Sequence, residues 1–326
     1  MKKVHLTFDY ELFFGTHSGS VNNSIIKPTE MIMEVMKKHK ATATFFVDYL
    51  MIPKLQNASE KMRLEAQKIS DQLCRLVKAG HRIELHIHPH WLDAKFIDGA
   101  WDFSDMRKYR LHSLSESEIM TLFIDGKNHL ETIARGVSSD YTIRCFRAGG
   151  WCIQPFSRLK SAFQSTGLII DSSVSYGAVS NSKVLKFDYT NTPDKVMYRF
   201  ADEVEVEDKN GEFLEIPISF YHHGLSHRIE NQIDKKVYRS RYIKFGDGCH
   251  NGLGADNERR RKKIFFAEKR MLSIDGVKPR IILNALRKSD RNKFVIISHP
   301  KDITIRSLDV LEKLCASKEF ELTSLQ

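Results

Sequence analysis

Near the N-terminus, three short apolar runs are separated by segments patterned for helix. This alternation limits the fold more than any other feature of the chain. Val4 to Glu11 alternates apolar and polar residues, as a strand does. Thr29, after Pro28, is a candidate cap for a helix running to about His39, with Met33 and Met36 on its inner face. Ala41 to Val47 is β-branched and aromatic, which suits a second strand. From Ser59, the residues Met62, Ala66, Ile69, Leu73, Leu76 and Val77 recur at three and four, and Gly80 supplies the stop of a long helix. A third strand follows at once, from Ile83 into a loop at Pro89. Strand, helix, strand, helix, strand predicts a parallel sheet with helices outside it.

The pattern continues with a polar loop containing Trp101 and a helix from about Glu116 to Ile133. A strand from Thr142 to Phe146 ends in Arg147-Ala148-Gly149-Gly150-Trp151. A helix from about Pro155 to Ser165 then leads to a short strand, Leu168 to Ile170, ending at Asp171-Ser172-Ser173. Between Gly177 and about Arg280 the order loosens. Phe213 to Ser219 is a strand that Pro217 places at a sheet edge, and residues 221–275 read as an insertion over the site mouth. Order returns with a helix near 280–288, the strand Phe294 to Ser298 ending at His299, a helix from about Ser307 to Ala316 and a last strand near 320–325. A single domain over residues 1–326 is the expectation.

Composition excludes several classes. No run of eighteen apolar residues exists, so no transmembrane helix is expected. The N-terminus turns acidic at Asp9 before an apolar stretch of signal-peptide length develops, which predicts a cytoplasmic protein. Five scattered cysteines without a Cys-x-x-Cys argue against a disulfide framework and a thiolate zinc site. The net charge of +10 favours anionic partners, such as a nucleotide-linked sugar, an acidic glycan or phospholipid headgroups in a peripheral membrane contact. No nucleic-acid-binding signature is present, so nucleic acid is not expected. The basic run at 258–263 reads as a solvated face, and Phe13-Phe14, Phe45-Phe46 and Phe265-Phe266 as core.

Polar residues recur where strands end, the place where parallel α/β folds carry chemistry. Asp9 and Glu11 are two apart and share a face of the first strand. His86, His88 and His90 alternate along Ile83 to Trp91. Neutral imidazole is a common ligand of divalent transition metals, and a histidine pair needs only one or two carboxylates to complete a hydrolytic site. A histidine-rich surface loop is the alternative. Arg147, Asp171 and His299 end later strands. Of the tryptophans that could stack on a sugar ring (Trp91, Trp101 and Trp151), Trp151 is best placed. His222, His223 and His227 read as a solvated loop.

The order of these strand ends resembles the polysaccharide deacetylase family, carbohydrate esterase family 4 with its NodB-homology domain. Thr7-Phe8-Asp9-Tyr10-Glu11 resembles the first motif, Thr-Phe-Asp-Asp, and Gly80-His81 through His86 and His90 resembles the second. Phe146 to Trp151, Asp171-Ser172-Ser173 and Ile297-Ser298-His299-Pro300 resemble the remaining three. The resemblance implies a distorted (β/α) barrel and metal-assisted removal of an N-acetyl group from an amino sugar, with zinc the usual metal. It implies His86 and His90 as ligands, Arg147 orienting Asp9, His299 as the acid and Asp171 supporting its protonated form; Trp151 is the candidate substrate contact, and His88, which has no counterpart in the family pattern, is a candidate for touching metal or substrate, with a packed histidine the alternative. The family's second Asp falls on Tyr10, and Glu11, on the face of Asp9, takes its place as a metal ligand. Asp9 is then the base, although the two roles exchange without violating the spacing. A nucleotide- or lipid-linked precursor of a surface polysaccharide suits the compartment and charge. Two rivals share the fold: an amidohydrolase acting on a non-sugar amide, with or without a metal, and a non-catalytic sugar-binding protein.

Overall fold

The computed structural model describes residues 1–250 and 268–325. The basic run at 258–263 and the Phe265-Phe266 pair lie outside the described residues, as does part of the stretch 221–275.

Strand β1 (Lys2–Tyr10) is followed by α1 (Lys27–His39), β2 (Thr44–Asp48), α2 (Met51–Ala58), α3 (Glu60–Lys78) and β3 (Arg82–Ile87). A small hairpin, β4 (Lys95–Ile97) and β5 (Ala100–Asp102), precedes α4 (Glu116–Arg135), β6 (Cys145–Ala148), α5 (Ser157–Thr166) and β7 (Ile170–Asp171). A second hairpin, β8 (Val179–Asn181) and β9 (Lys186–Asp188), leads to β10 (Tyr198–Phe200) and β11 (Phe213–Glu215). Then come β12 (Phe220–His223), α6 (Leu225–Val237), β13 (Glu268–Met271), α7 (Pro279–Lys288), β14 (Lys293–Ser298), α8 (Ile305–Ala316) and β15 (Phe320–Thr323).

Nine strands form one curled sheet in the order β10-β11-β7-β6-β3-β2-β1-β14, with β15 pairing on the first residues of β1. Every pairing in it is parallel except β10 with β11. The expected distorted (β/α) barrel is therefore present, and its helices cover the outer face. Ser59 caps α3 by accepting the Met62 backbone N–H, and Ser115 and Glu118 form a reciprocal cap on α4. Two details differ from the sequence reading. Helix α2 was not expected, because its eight residues are too few to display a periodicity. Strand β11 is no edge: it lies between β10 and β7 and stops at Glu215, so Pro217 falls beyond the ladder and withholds no bond from it.

Strand alternation divides the core in two. Val4, Leu6, Phe8 and Tyr10 of β1, Phe45 and Val47 of β2, and Ile83, Leu85 and Ile87 of β3 join the large cluster that includes the helix residues Ile32, Met36, Ile69 and Leu73. Phe46, Cys145, Ile170, Val295 and Ile297 form a small cluster inside the curl. A parallel sheet sends the C-terminal ends of its strands to one rim, and the inward positions there carry the polar groups. Tyr10, facing outward, donates its hydroxyl proton to Gln72 on α3 at 2.9 Å. That contact explains why an aromatic residue stands between two acids.

Candidate metal and acid–base site

Glu11 is the hub of the rim. Its Oε2 lies 2.7 Å from His88 Nε2 and 3.2 Å from His86 Nε2, while its Oε1 accepts from the buried Lys301 ammonium at 2.8 Å. Burial alone works against this carboxylate. Lys301, His88 and His86 outweigh it and hold the Glu11 pKa well below the usual carboxylate range.

These donors fit a divalent cation. His86 Nδ1 bonds the backbone carbonyl of Arg147 at 2.7 Å, so a neutral His86 carries its proton there and aims the Nε2 lone pair at Glu11. Two lone pairs facing one another require a proton or a cation between them. The Glu11, His86 and His88 ligand atoms all lie within 4.8 Å of one another, and one carboxylate oxygen with two imidazole nitrogens is a zinc-type donor set.

His90 does not belong to this set. Pro89 opens a short 3₁₀ turn, Pro89–Leu92, which takes His90 off the alternation that His86 and His88 share. Its ring lies flat on Tyr109, with centroids 5.3 Å apart and planes at 9°, and its edge meets Phe14. Among the described residues neither ring nitrogen has a hydrogen-bond partner, and burial keeps the pKa of His90 well below that of free histidine. Among the described residues, the histidine grouped with Glu11 and His86 is thus His88, which was expected to contact substrate, and not His90. Gly149 makes room for this arrangement. A Cβ there would fall 2.6 Å from the Ile87 carbonyl oxygen and 2.8 Å from His88 Nδ1.

Asp9 sits beside Glu11, and its Oδ1 accepts from Arg147 Nη1 at 2.6 Å. Arg147 is fully buried. It also donates to Thr7 Oγ1, to the Ser172 carbonyl and to Ser172 Oγ, and it stacks on Phe46 with 4.1 Å from guanidinium carbon to ring centre. These contacts fix the guanidinium plane, so one oxygen of Asp9 is held and Oδ2 is left towards the cavity.

His299 closes the far side. Its Nε2 lies 3.7 Å from Asp9 Oδ2 and 3.9 Å from Glu11 Oε1, and its Nδ1 lies 3.4 Å from Asp275 Oδ2. Burial would depress its pKa, but Asp275, Asp9 and Glu11 prevail and push it up to about 9. The carboxylate nearest His299 Nδ1 is therefore Asp275, not Asp171. Ile170 packs inside the curl, so its neighbour Asp171 projects to the opposite face, where it holds the Ser173 hydroxyl and backbone N–H at 2.7 and 3.0 Å. Burial raises the pKa of Asp171, and Glu215, its partner in register, lies well above the usual carboxylate range for the same reason, with Asp171 adding to the effect. Asp171 braces the Ser172-Ser173 turn to which Arg147 is bonded.

A cavity of about 240 Å³ opens on Asp9, Glu11, His88, His299, Lys301 and Trp151. Trp151 is half-buried at its wall, whereas Trp91 is fully buried and donates its indole N–H to Asp48 at 2.6 Å, and Trp101 packs edge-on against it. Those two are core. His223 is also buried, bonded to the Tyr221 hydroxyl at 3.0 Å, rather than lying in a solvated loop.

Sequence reasoning missed Asp48, Lys301, Asp275 and Asp302. Asp48 ends β2, and its Oδ1 accepts from the His88 backbone N–H at 3.2 Å. Burial raises its pKa to about 7. Its signal was the strand-end position shared by the other site residues. Lys301 and Asp302 follow His299 by two and three residues, and Asp302 pairs with Lys244 and His250. Asp275 carried no local signal.

No protein-family model matches the sequence, and no curated protein does. Among solved structures, a candidate polysaccharide deacetylase from Mycobacterium smegmatis matches with a TM-score of 0.51 at 15% identity, over 99% of this chain and 86% of its own. The chain shares the fold of that structure, a curled (β/α) barrel. The catalytic domain of a peptidoglycan N-acetylglucosamine deacetylase from Eubacterium rectale matches with a TM-score of 0.40 at 11% identity, over 100% of this chain and 89% of its own. A pseudoenzyme of carbohydrate esterase family 4 from Bacillus anthracis matches at 0.41 and 10% identity, over 99% and 64%. Among the described residues, no helix is long and apolar enough to cross a membrane.

Proposed function

We propose that this chain is a metal-dependent deacetylase that hydrolyses the N-acetyl amide of an amino sugar. One observation carries the reading: an arginine-anchored carboxylate, a Glu-His-His donor set and a carboxylate-backed histidine all face one cavity. Glu11, His86 and His88 would hold a divalent cation of the zinc type, which when bound polarises the acetyl carbonyl and lowers the pKa of water. Asp9, held through Oδ1 by Arg147, accepts the proton of the attacking water at Oδ2. His299, kept protonated by Asp275, gives a proton from Nε2 to the nitrogen of the breaking C–N bond, so acetate and a free amine leave. Trp151 offers its ring to the sugar. The net charge of +10 supports an anionic substrate, such as a nucleotide- or lipid-linked precursor of a surface polysaccharide.

The test is acetate release by the zinc-loaded chain from N-acetylated amino sugars, free, polymeric and nucleotide-linked. Asp9→Asn should lose activity on the order of 10²–10⁴-fold. A wild-type chain that binds metal yet releases acetate from none of them, or a rate that Asp9→Asn leaves unchanged, refutes the reading. The Lys301 ammonium on Glu11 favours a second reading, a metal-free amidohydrolase in which an internal cation serves Glu11. Full activity with less than about a tenth of an equivalent of bound metal, unaffected by chelators, would select it.

A further inference from the structure

Helix α6 is turned inside out. Its one fully buried residue is Asp234, which accepts from Arg306 Nε at 2.9 Å and from the Tyr242 hydroxyl. Beside it, Glu230 pairs with Lys278 at 3.0 Å, and Asn231 accepts from the Lys278 backbone N–H at 3.0 Å. The polar face therefore docks on the protein. The apolar residues Leu225, Ile229, Ile233 and Val237, every fourth position, stand 47–65% exposed, and Ile243 just beyond is 67% exposed. A water-facing helix of a globular protein normally shows the reverse pattern. A contiguous apolar stripe of this kind marks a surface that is covered by something.

The charge around the stripe indicates what covers it. Lys236 lies within it at helical spacing, and Lys235 and Arg239 flank one side. None of the three has a carboxylate partner among the described residues, whereas half of the lysines and arginines in the chain's other α-helices do. A basic rim on an apolar stripe is the signature of a helix lying in an anionic membrane interface, where aliphatic side chains enter the acyl boundary and ammonium and guanidinium groups meet lipid phosphates.

We propose that α6 and the segment to Ile243 dock this protein on an anionic lipid bilayer. Lys235, Arg239 and Ile243 also line a cavity of about 610 Å³ that reaches Asp275 and His250, and His250 lies on the wall of the catalytic cavity too. Docking by this face holds the catalytic rim next to the headgroup layer.

The experiment is co-sedimentation of the full chain with vesicles of phosphatidylcholine alone and of phosphatidylcholine with about one-quarter phosphatidylglycerol. The wild type should partition to the mixed vesicles at least about tenfold better than to neutral ones, and less so in about 0.5 M salt. Ile229→Asp with Ile233→Asp should abolish partitioning while leaving the melting temperature within a few degrees of wild type, since both residues are more than half exposed. Ile233→Trp should show a blue shift of emission on mixed vesicles only. Absence of binding, equal binding to both vesicle types, or a double variant that binds like wild type would overturn the proposal. So would a dimer in sedimentation velocity that the double variant dissociates, because the stripe would then be covered by a second copy. None of these readouts depends on the hydrolytic reading.

Discussion

Replacing Asp275 by asparagine tests the acid–base arrangement most directly. Four carboxylates surround His299: Asp275 at 3.4 Å, Asp9 at 3.7 Å, and Glu11 and Asp302 at 3.9 Å. Asp275, Asp9 and Glu11 lift its pKa from 6.5 to about 9 against the effect of burial, which corresponds to roughly 3 kcal/mol of preference for the charged ring. A single carboxylate at such a distance contributes about 1–4 kcal/mol, depending on how much water screens it. Asp275→Asn should therefore lower the His299 pKa by about one to two pH units, or about 1.4–2.7 kcal/mol. Because His299 must be protonated to donate, the alkaline limb of kcat/KM moves from about 9 towards about 7–8, with the acidic limb unmoved. Stability follows the same sign. A folded-state pKa raised above 6.5 contributes stability that is fully present below pH 6.5 and is lost as pH rises through about 9. Denaturant titrations should show the variant weakest relative to wild type below about pH 6.5, with the gap closing above about pH 9. Superimposable alkaline limbs, or a stability deficit independent of pH, would refute the assignment of Asp275.

Further outcomes follow from the same geometry. Arg147→Ala leaves Asp9 buried without its partner and should destabilise the fold by about 3–5 kcal/mol in denaturant titration. His88→Ala should reduce zinc bound per chain by at least about tenfold, whereas His90→Phe, which keeps the stack on Tyr109, should retain it; the reverse result in metal analysis would restore His90 as the ligand. Gly149→Ala forces a methyl against the Ile87 carbonyl and the His88 ring, so it should cost about 1–3 kcal/mol of stability and weaken zinc binding along with it.

The alternation of apolar strands with amphipathic helices was enough to predict a parallel sheet. Strand ends at Asp9, Glu11, His86, Arg147 and His299 were legible because a polar residue closing an apolar run has few other reasons to be there. Period two even placed Glu11 with Asp9 and turned Tyr10 away. The same rule, applied past Pro89, failed: local turn geometry, not strand register, sets where His90 points, and it stacks on Tyr109 while His88 keeps the register of His86. Parity also separates Asp171 from His299. In a strand of two residues, that parity is decided by Ile170 packing inside the curl, which no local pattern reveals.

What the chain's own pattern determined, then, is the architecture and the rim on which the polar groups gather. What only the tertiary structure decided is which of those groups meet. Asp275 reaches His299 from 24 residues away and Lys301 reaches Glu11 from 290, because the loops after β13 and β14 arrive at a rim built by the first three strands. Secondary structure is written in residues a few positions apart, whereas a charge partner is chosen by distance in space, and closing the sheet is what makes remote residues neighbours. The outward stripe of α6 belongs to the same class. Its periodicity marks an amphipathic helix, but only Asp234, sunk against Arg306, shows which side faces the protein.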